Sequence, residues 1–185
     1  MNLREHVVLG AGAAALLSPV LGVQDSAVFF GASVLIDADH YWEYLHRNGF
    51  RDWSPSRTFA FHRALFRHIR SPRLLGLNLF HTLECFLLVY LAGVGLDSSA
   101  AFAALGGMAF HLALDLARLA WYRAVFTRAL SVVEYLIRRR RLRARGIDPD
   151  LIYQEALLEI GVVPPGLQPV PLPAIDPRPA DRGRS

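Results

Sequence analysis

The side chains of this sequence that are equipped for chemistry are imidazoles and carboxylates set in apolar surroundings: His6, Asp37, Asp39 and His40, His81 with Glu84, and His111 with Asp115. Asp37 and His40 are spaced i,i+3, His81 and Glu84 i,i+3, and His111 and Asp115 i,i+4, so each pair shares a face if its segment is helical. Imidazole nitrogen and carboxylate oxygen form a ligand set suited to zinc, manganese or iron, and paired sets can bridge two such ions. A metal held by three or four of these groups keeps a position for water and makes that water more acidic. That is the chemistry of a hydrolytic nucleophile.

Plainer roles exist for each group. Asp115 can pair with Arg118 one turn on, Asp37 and Asp39 can end a helix at the head groups, and His6 can be an interfacial residue. His81 with Glu84 can be a structural hydrogen-bonded pair, and His111 a satisfied core histidine. What these roles leave unexplained is the common depth of the groups, which depends on the elements that carry them.

Those elements are apolar helices. The chain of 185 residues is 53% hydrophobic and only 19% charged, too apolar for an ordinary soluble domain. A first apolar segment runs from Val7 to Val23; Arg4 precedes it as in a signal peptide, but no A-x-A-like site closes it, and it reads as a retained helix. A second, Ser26 to Ile36, is short for a span and crosses only by continuing through Tyr41, Trp42 and Tyr44. Leu74 to Leu96 and Ala100 to Tyr122 are each long enough to cross. The predicted fold is an all-α polytopic membrane bundle of about four transmembrane helices with a cytoplasmic helical extension.

Three regions follow: a bundle with its metal site over 1–125, including an extramembrane loop at 47–73 with a short amphipathic helix around Thr58 to Ile69; a basic amphipathic cytoplasmic segment over 126–162 with a helix from Pro149 to Ile160; and a Pro-rich, disordered tail over 163–185. The lone Cys85 lies in an apolar run and cannot form an intrachain disulfide.

All 20 basic residues are arginine, and they fall in segments separated by apolar stretches. Arg-bearing short loops stay in the cytoplasm, so four crossings place the N-terminus, the 47–73 loop and the run Arg138 to Arg145 on one side. The turns at Gln24-Asp25 and Asp97-Ser98, on the other side, contain no arginine. The Arg138 run sets orientation or touches anionic head groups, and a basic run alone is no argument for nucleic acid. In this topology His6, Asp37, Asp39 and His40 sit at cytoplasmic helix ends, His81 about 10 Å into the third helix, and His111 and Asp115 near the cytoplasmic end of the fourth. Every helix contributes to one layer. Ionisable groups at membrane depth face a bundle interior and find partners there. His46, His62 and His68 lie in the basic loop and read as solvated, with His62 or His68 able to fold over the mouth of the site as an extra ligand or proton shuttle.

In order and spacing, His6, Ile36-Asp37-Ala38-Asp39-His40, Phe80-His81-Thr82-Leu83-Glu84 and Phe110-His111-Leu112-Ala113-Leu114-Asp115 resemble the YdjM-like membrane-bound metal-dependent hydrolases. That family shows an early His, a D-x-D-H element, a His followed by Ser or Thr, and an H-x-x-x-D helix, and the resemblance covers roughly residues 5 to 122. The family's H-R-G element directly before the later histidine has no counterpart: Leu74 to Phe80 precede His81, and the His-Arg pair His62-Arg63 stands well upstream. Either His62 or His68 replaces that ligand or the site has one fewer. The resemblance implies a metal-dependent hydrolase, and the arginine distribution predicts a multi-pass inner-membrane chain with both termini cytoplasmic.

The expectation is therefore that Asp37, Asp39, His40, His81, His111 and Asp115, with His6, bind one or two divalent metals, zinc foremost and manganese or iron next. Glu84 is then a ligand or the general base. Location near the head groups points to a phosphoester or acyl bond of a lipid-like or membrane-proximal molecule, with membrane lipids as surroundings. The rival readings are an ion or proton carrier or scaffold, and a haem-binding bundle with His81 and His111 as axial ligands.

Overall fold

The structure, a computed structural model, describes residues 3–167. It is mainly helical: α1 (Leu3–Leu35), α2 (Ala38–Arg47), α3 (Pro55–Arg67), α4 (Leu83–Gly95), α5 (Ser99–Trp121), α6 (Val132–Ala144) and α7 (Asp150–Glu159), with two short strands, β1 (Gly76–Leu77) and β2 (Arg128–Ala129), paired in parallel. Most of the tail expected over 163–185 lies outside the described residues.

α1 is two helical arms. Gly22 breaks it with φ 78 and ψ 164, a left-handed conformation open to glycine, three residues after Pro19. The arms fold back on each other, for a Cβ on Gly10 would meet Ser33 Oγ, and Ala14 packs in one cluster with Phe29 and Ala103. α5 closes on the second arm so tightly that a Cβ on Gly107 would collide with the Phe29 carbonyl oxygen. Small residues permit this approach, the device by which membrane helices gain van der Waals packing where lipid offers no hydrophobic drive.

Two helical stretches are long and apolar enough to cross a membrane by length and composition: Leu3–Arg47 and Ser99–Trp121. Their apolar side chains are largely uncovered within the chain: Leu16 is 82% exposed and Val20 83%, and Leu88 of the shorter apolar helix α4 is 67% exposed.

The segment Leu74 to Leu96, expected as one crossing helix, is not continuous. Residues 74–82 are extended or form a 3-10 turn, and α4 begins only after Thr82, whose hydroxyl caps it by accepting from Cys85 N at 3.3 Å. β1 pairing and the Asn78 side chain, buried against Asp39, draw this stretch out of a helix. The 13-residue α4 measures about 20 Å at ~1.5 Å per residue, short of the ~30 Å hydrocarbon core. A turn at Ile36–Asp37 likewise ends the second arm, and α2 does not extend the apolar bundle as expected. Tyr44 and Leu45 of α2 instead join Phe61 and Leu65 of α3 with Ile152, Tyr153 and Leu157 of α7 in a second core. The basic C-terminal segment and the 47–73 loop therefore share one packed layer, joined by Arg47, which stacks 3.7 Å above the Tyr153 ring and bonds Asp150 Oδ1 at 2.7 Å.

Candidate metal centre

The bundle and the second core meet at Asp37, the residue that leads from α1 into α2. Three imidazole nitrogens converge on its Oδ1: His111 Nε2 at 3.2 Å, His40 Nε2 at 3.3 Å and His81 Nε2 at 3.8 Å. His81 comes from the 3-10 turn before α4 and His111 from the middle of α5. Asp115, one turn beyond His111, places Oδ2 3.8 Å from His111 Nε2. Asp37, His81, His111 and Asp115 each offer one ligand atom, all within 4.8 Å of one another. The span is close to the roughly 4 Å across the coordination sphere of a first-row metal.

The outer nitrogens of two of these imidazoles are fixed. His81 Nδ1 lies 3.0 Å from Asp39 Oδ2, and His111 Nδ1 lies 2.7 Å from the Ser33 carbonyl oxygen. Both acceptors are oxygens without a proton to give, so each Nδ1 carries the hydrogen and donates. In the neutral ring the lone pair is then on Nε2, facing the site. Asp39 is itself held, accepting from Phe80 N at 3.0 Å and from the Asn78 amide at 3.3 Å. Carboxylate and carbonyl partners of this kind set the tautomer and orientation of ligating histidines.

These buried lone pairs are not otherwise used. His81 Nε2 and His111 Nε2 make no hydrogen bond among the described residues, although both rings are fully buried. Lone pair facing carboxylate oxygen in a low-dielectric interior is repulsive unless a proton or cation lies between them. With two nitrogens and two carboxylates gathered together, a divalent cation answers all four groups at once. The donor set fits zinc, manganese or iron.

Around this group lie two further side chains. His6, from the first arm, stacks on His111 with centroids 3.8 Å apart and places Nε2 3.2 Å from Asp115 Oδ1. Arg128, from β2, bonds Asp115 Oδ2 at 2.9 Å. Arg118 does not pair with Asp115; it holds Glu5 at 2.7 Å.

Of the other expected residues, His40 alone also faces Asp37. Asp39 orients His81. His40 lies with Glu43 and His62 in a second compact group, and its Nδ1 is 2.9 Å from the Asn78 amide, which leaves the proton on Nε2 and directed at Asp37. His62 is packed in rather than solvated. Its Nε2 donates to the His40 carbonyl at 2.9 Å, and burial, followed by the neighbouring His40, pushes it down to about 3, so that it stays neutral with Nδ1 carrying the lone pair. His68 caps the C-terminus of α3 and joins neither group, and His46 is exposed. Glu84 is drawn to the N-terminus of α6, its Oε1 accepting from Ser131 Oγ at 2.6 Å and Val132 N at 3.0 Å. Because Thr82 caps α4, His81 lies outside the helix, and the i,i+3 spacing to Glu84 does not bring the two together.

Three contributors escaped the sequence reading. Asn78 carried a signal, as the one amide in the apolar run from Leu74 to Phe80. Glu43 stands i,i+3 from His40 and could have been found by that spacing; Arg128 carried none. Comparison of the chain with known protein families, with characterised proteins and with solved structures yields no match.

Proposed function

We propose that the protein is a membrane-embedded, metal-dependent hydrolase, with Asp37, His81, His111 and Asp115 holding a divalent ion, zinc first, and His6 beside them. The observation that carries this reading is the pair of buried Nε2 atoms, His81 and His111, with no hydrogen-bond partner, aimed at a shared carboxylate oxygen. Four crossings of the inner membrane, with both termini cytoplasmic, agree with the α1 hairpin and with the arginine-free turns at 24–25 and 97–98. The short second arm and α4 then traverse only where the bilayer thins or where the bundle covers them. The site lies at the open end of the α1 hairpin, near the layer of α2, α3 and α7.

A divalent ion in this group would act as a Lewis acid and acidify a water. The remaining chemistry belongs to the chain's own residues. Asp39 and the Ser33 carbonyl hold the His81 and His111 rings in register. Arg128 places a guanidinium beside Asp115, where it can bind one oxygen of a phosphoester or acyl oxyanion as charge develops. His40, with 28% of its side chain exposed, is the most open imidazole facing Asp37 and, with its proton on Nε2, takes a proton-donating role toward the leaving group. The group His40, Glu43 and His62 offers room for a second ion. A lipid-like or membrane-proximal phosphoester is the favoured substrate because Arg128 is an anion partner and the site adjoins the head-group layer.

Two observations weigh against the rivals. The His81 and His111 rings are 5.1 Å apart at 66°, too close and too oblique to face each other across a porphyrin. Beyond Ser33 toward the Gly22 turn, Ser26 is the single buried polar side chain of α1 among the described residues, a poor path for ions or protons. The test is hydrolysis of a micellar phosphodiester and a micellar carboxylic ester by detergent-purified protein, with and without chelation and zinc readdition. Metal-restored turnover that disappears in His81→Ala and His111→Ala supports the reading; metal-independent turnover equal in the variants removes it.

A further inference from the structure

The arginine run of α6 divides between two faces. Arg139 and Arg143 turn to Asp150, with Arg143 Nη2 at 2.8 Å and Arg139 closer still. Arg138, Arg141 and Arg145 are spaced i, i+3, i+7 and share the other face. That face lines a cavity of about 410 Å3, completed by Arg70 after α3 and Arg123 after α5. Among the described residues no carboxylate lines it. Arg138 is partly neutralised by Glu134 at 2.9 Å, whereas Arg70, Arg123, Arg141 and Arg145 form no ion pair among the described residues. Arg123 is held in the left-handed region at φ 55, a conformation unusual outside glycine, at the turn that ends α5. Arg70, Arg123, Arg141 and Arg145 are exposed to solvent, and an anion bound among the five guanidiniums would relieve their mutual repulsion.

Position selects the kind of anion. The cavity abuts the end of a helix long and apolar enough to cross a membrane, and Trp121 and Phe126 beside it are 84% and 83% exposed. Exposed aromatics at a helix end mark the membrane–water boundary, and basic clusters there attract anionic lipid. We propose that this cavity binds the phosphate head group of an anionic phospholipid, with the glycerol and acyl region lying along Phe126. Forked guanidiniums suit phosphate oxygens better than point charges do. The metal centre plays no part in this site, and its failure would leave this one standing.

The test is native mass spectrometry of the full chain in detergent, loaded with an equal mixture of phosphatidylglycerol and phosphatidylcholine, then challenged separately with inorganic phosphate and a short DNA duplex. Wild type should retain phosphatidylglycerol preferentially, and the double variant Arg141→Gln/Arg145→Gln should lose roughly 30-fold in that retention, each arginine near an anionic surface being worth about a factor of five. Arg141→Lys/Arg145→Lys, which keeps the charge but not the fork, should fall between. An unchanged melting temperature and metal content in the variants assign the loss to the cavity. Equal retention of both lipids, retention unaffected by the glutamine variants, displacement by phosphate with no lipid held, or tighter binding of the duplex would each overturn the proposal.

Discussion

His81 Nδ1 and Asp39 Oδ2 are 3.0 Å apart, with both side chains almost wholly buried. The carboxylate fixes the ring so that Nε2, the candidate ligand atom, points at Asp37. Asp39 thus acts on the site through another residue, and its loss should differ from the loss of a ligand. Asp39→Asn should weaken zinc affinity by roughly 10–100-fold and leave stoichiometry at saturation unchanged, whereas Asp37→Ala should abolish binding at any accessible concentration. Competition titration against a chromophoric chelator separates the two, and identical behaviour would remove the positioning role.

The packing of α5 on the second arm makes a further prediction. Gly107→Ala drives a methyl group into the Phe29 carbonyl, an overpacking that costs about 1–3 kcal/mol, and should lower the melting temperature in detergent. Gly12→Ala, where a Cβ has no neighbour within 4 Å, should leave it unchanged or slightly raised. Equal melting of the two variants would contradict the close approach that brings the Ser33 carbonyl to His111.

How far such relationships are legible in sequence depends on how local they are. His111 and Asp115 stay one turn apart on an unbroken helix, so spacing alone places them together. Asp37 and His40 meet although a turn separates their helices, because Asp37 is itself the residue before the first turn of α2. His81 and Glu84 failed the same rule, since the threonine cap between them starts the helix only after His81, and Glu84 found a partner 47 residues away in Ser131. Arg128 reaches Asp115 only through the β1–β2 pairing, a contact that no hydrophobic period announces. The apolar segments were readable from composition, while the interruption at residues 74–82 was decided by tertiary partners of Asn78.

Glu84 supplies a direct contrast between sequence and structure. If its carboxylate serves the N-terminus of α6, Glu84→Gln should keep full metal content and turnover while lowering thermal stability modestly. Loss of turnover at unchanged stability would return Glu84 to the role of base.

The second core should respond to acid through Asp150. Burial pushes its carboxyl up, but hydrogen bonds from Arg139 and Arg47 prevail and hold it below the ordinary range. A carboxyl whose folded value is depressed stabilises the fold above its unfolded value, about 3.9, and this contribution fades as pH falls from there toward the folded value. The stability difference between wild type and Asp150→Asn should therefore be constant from neutral pH to about pH 5 and shrink below it. A difference that grows on acidification would contradict the ion-pair account.

The most direct measurement is the metal content of the detergent-purified full chain after loading with zinc and exhaustive buffer exchange, determined by elemental analysis for wild type, Asp37→Ala, His111→Ala and the remote Gly12→Ala. Retention of at least one ion per chain by wild type and Gly12→Ala, with loss in the other two, is the result expected of ligands that share an ion. Wild type that retains no zinc, manganese or iron, or variants that retain as much as wild type, would contradict a metal centre at Asp37.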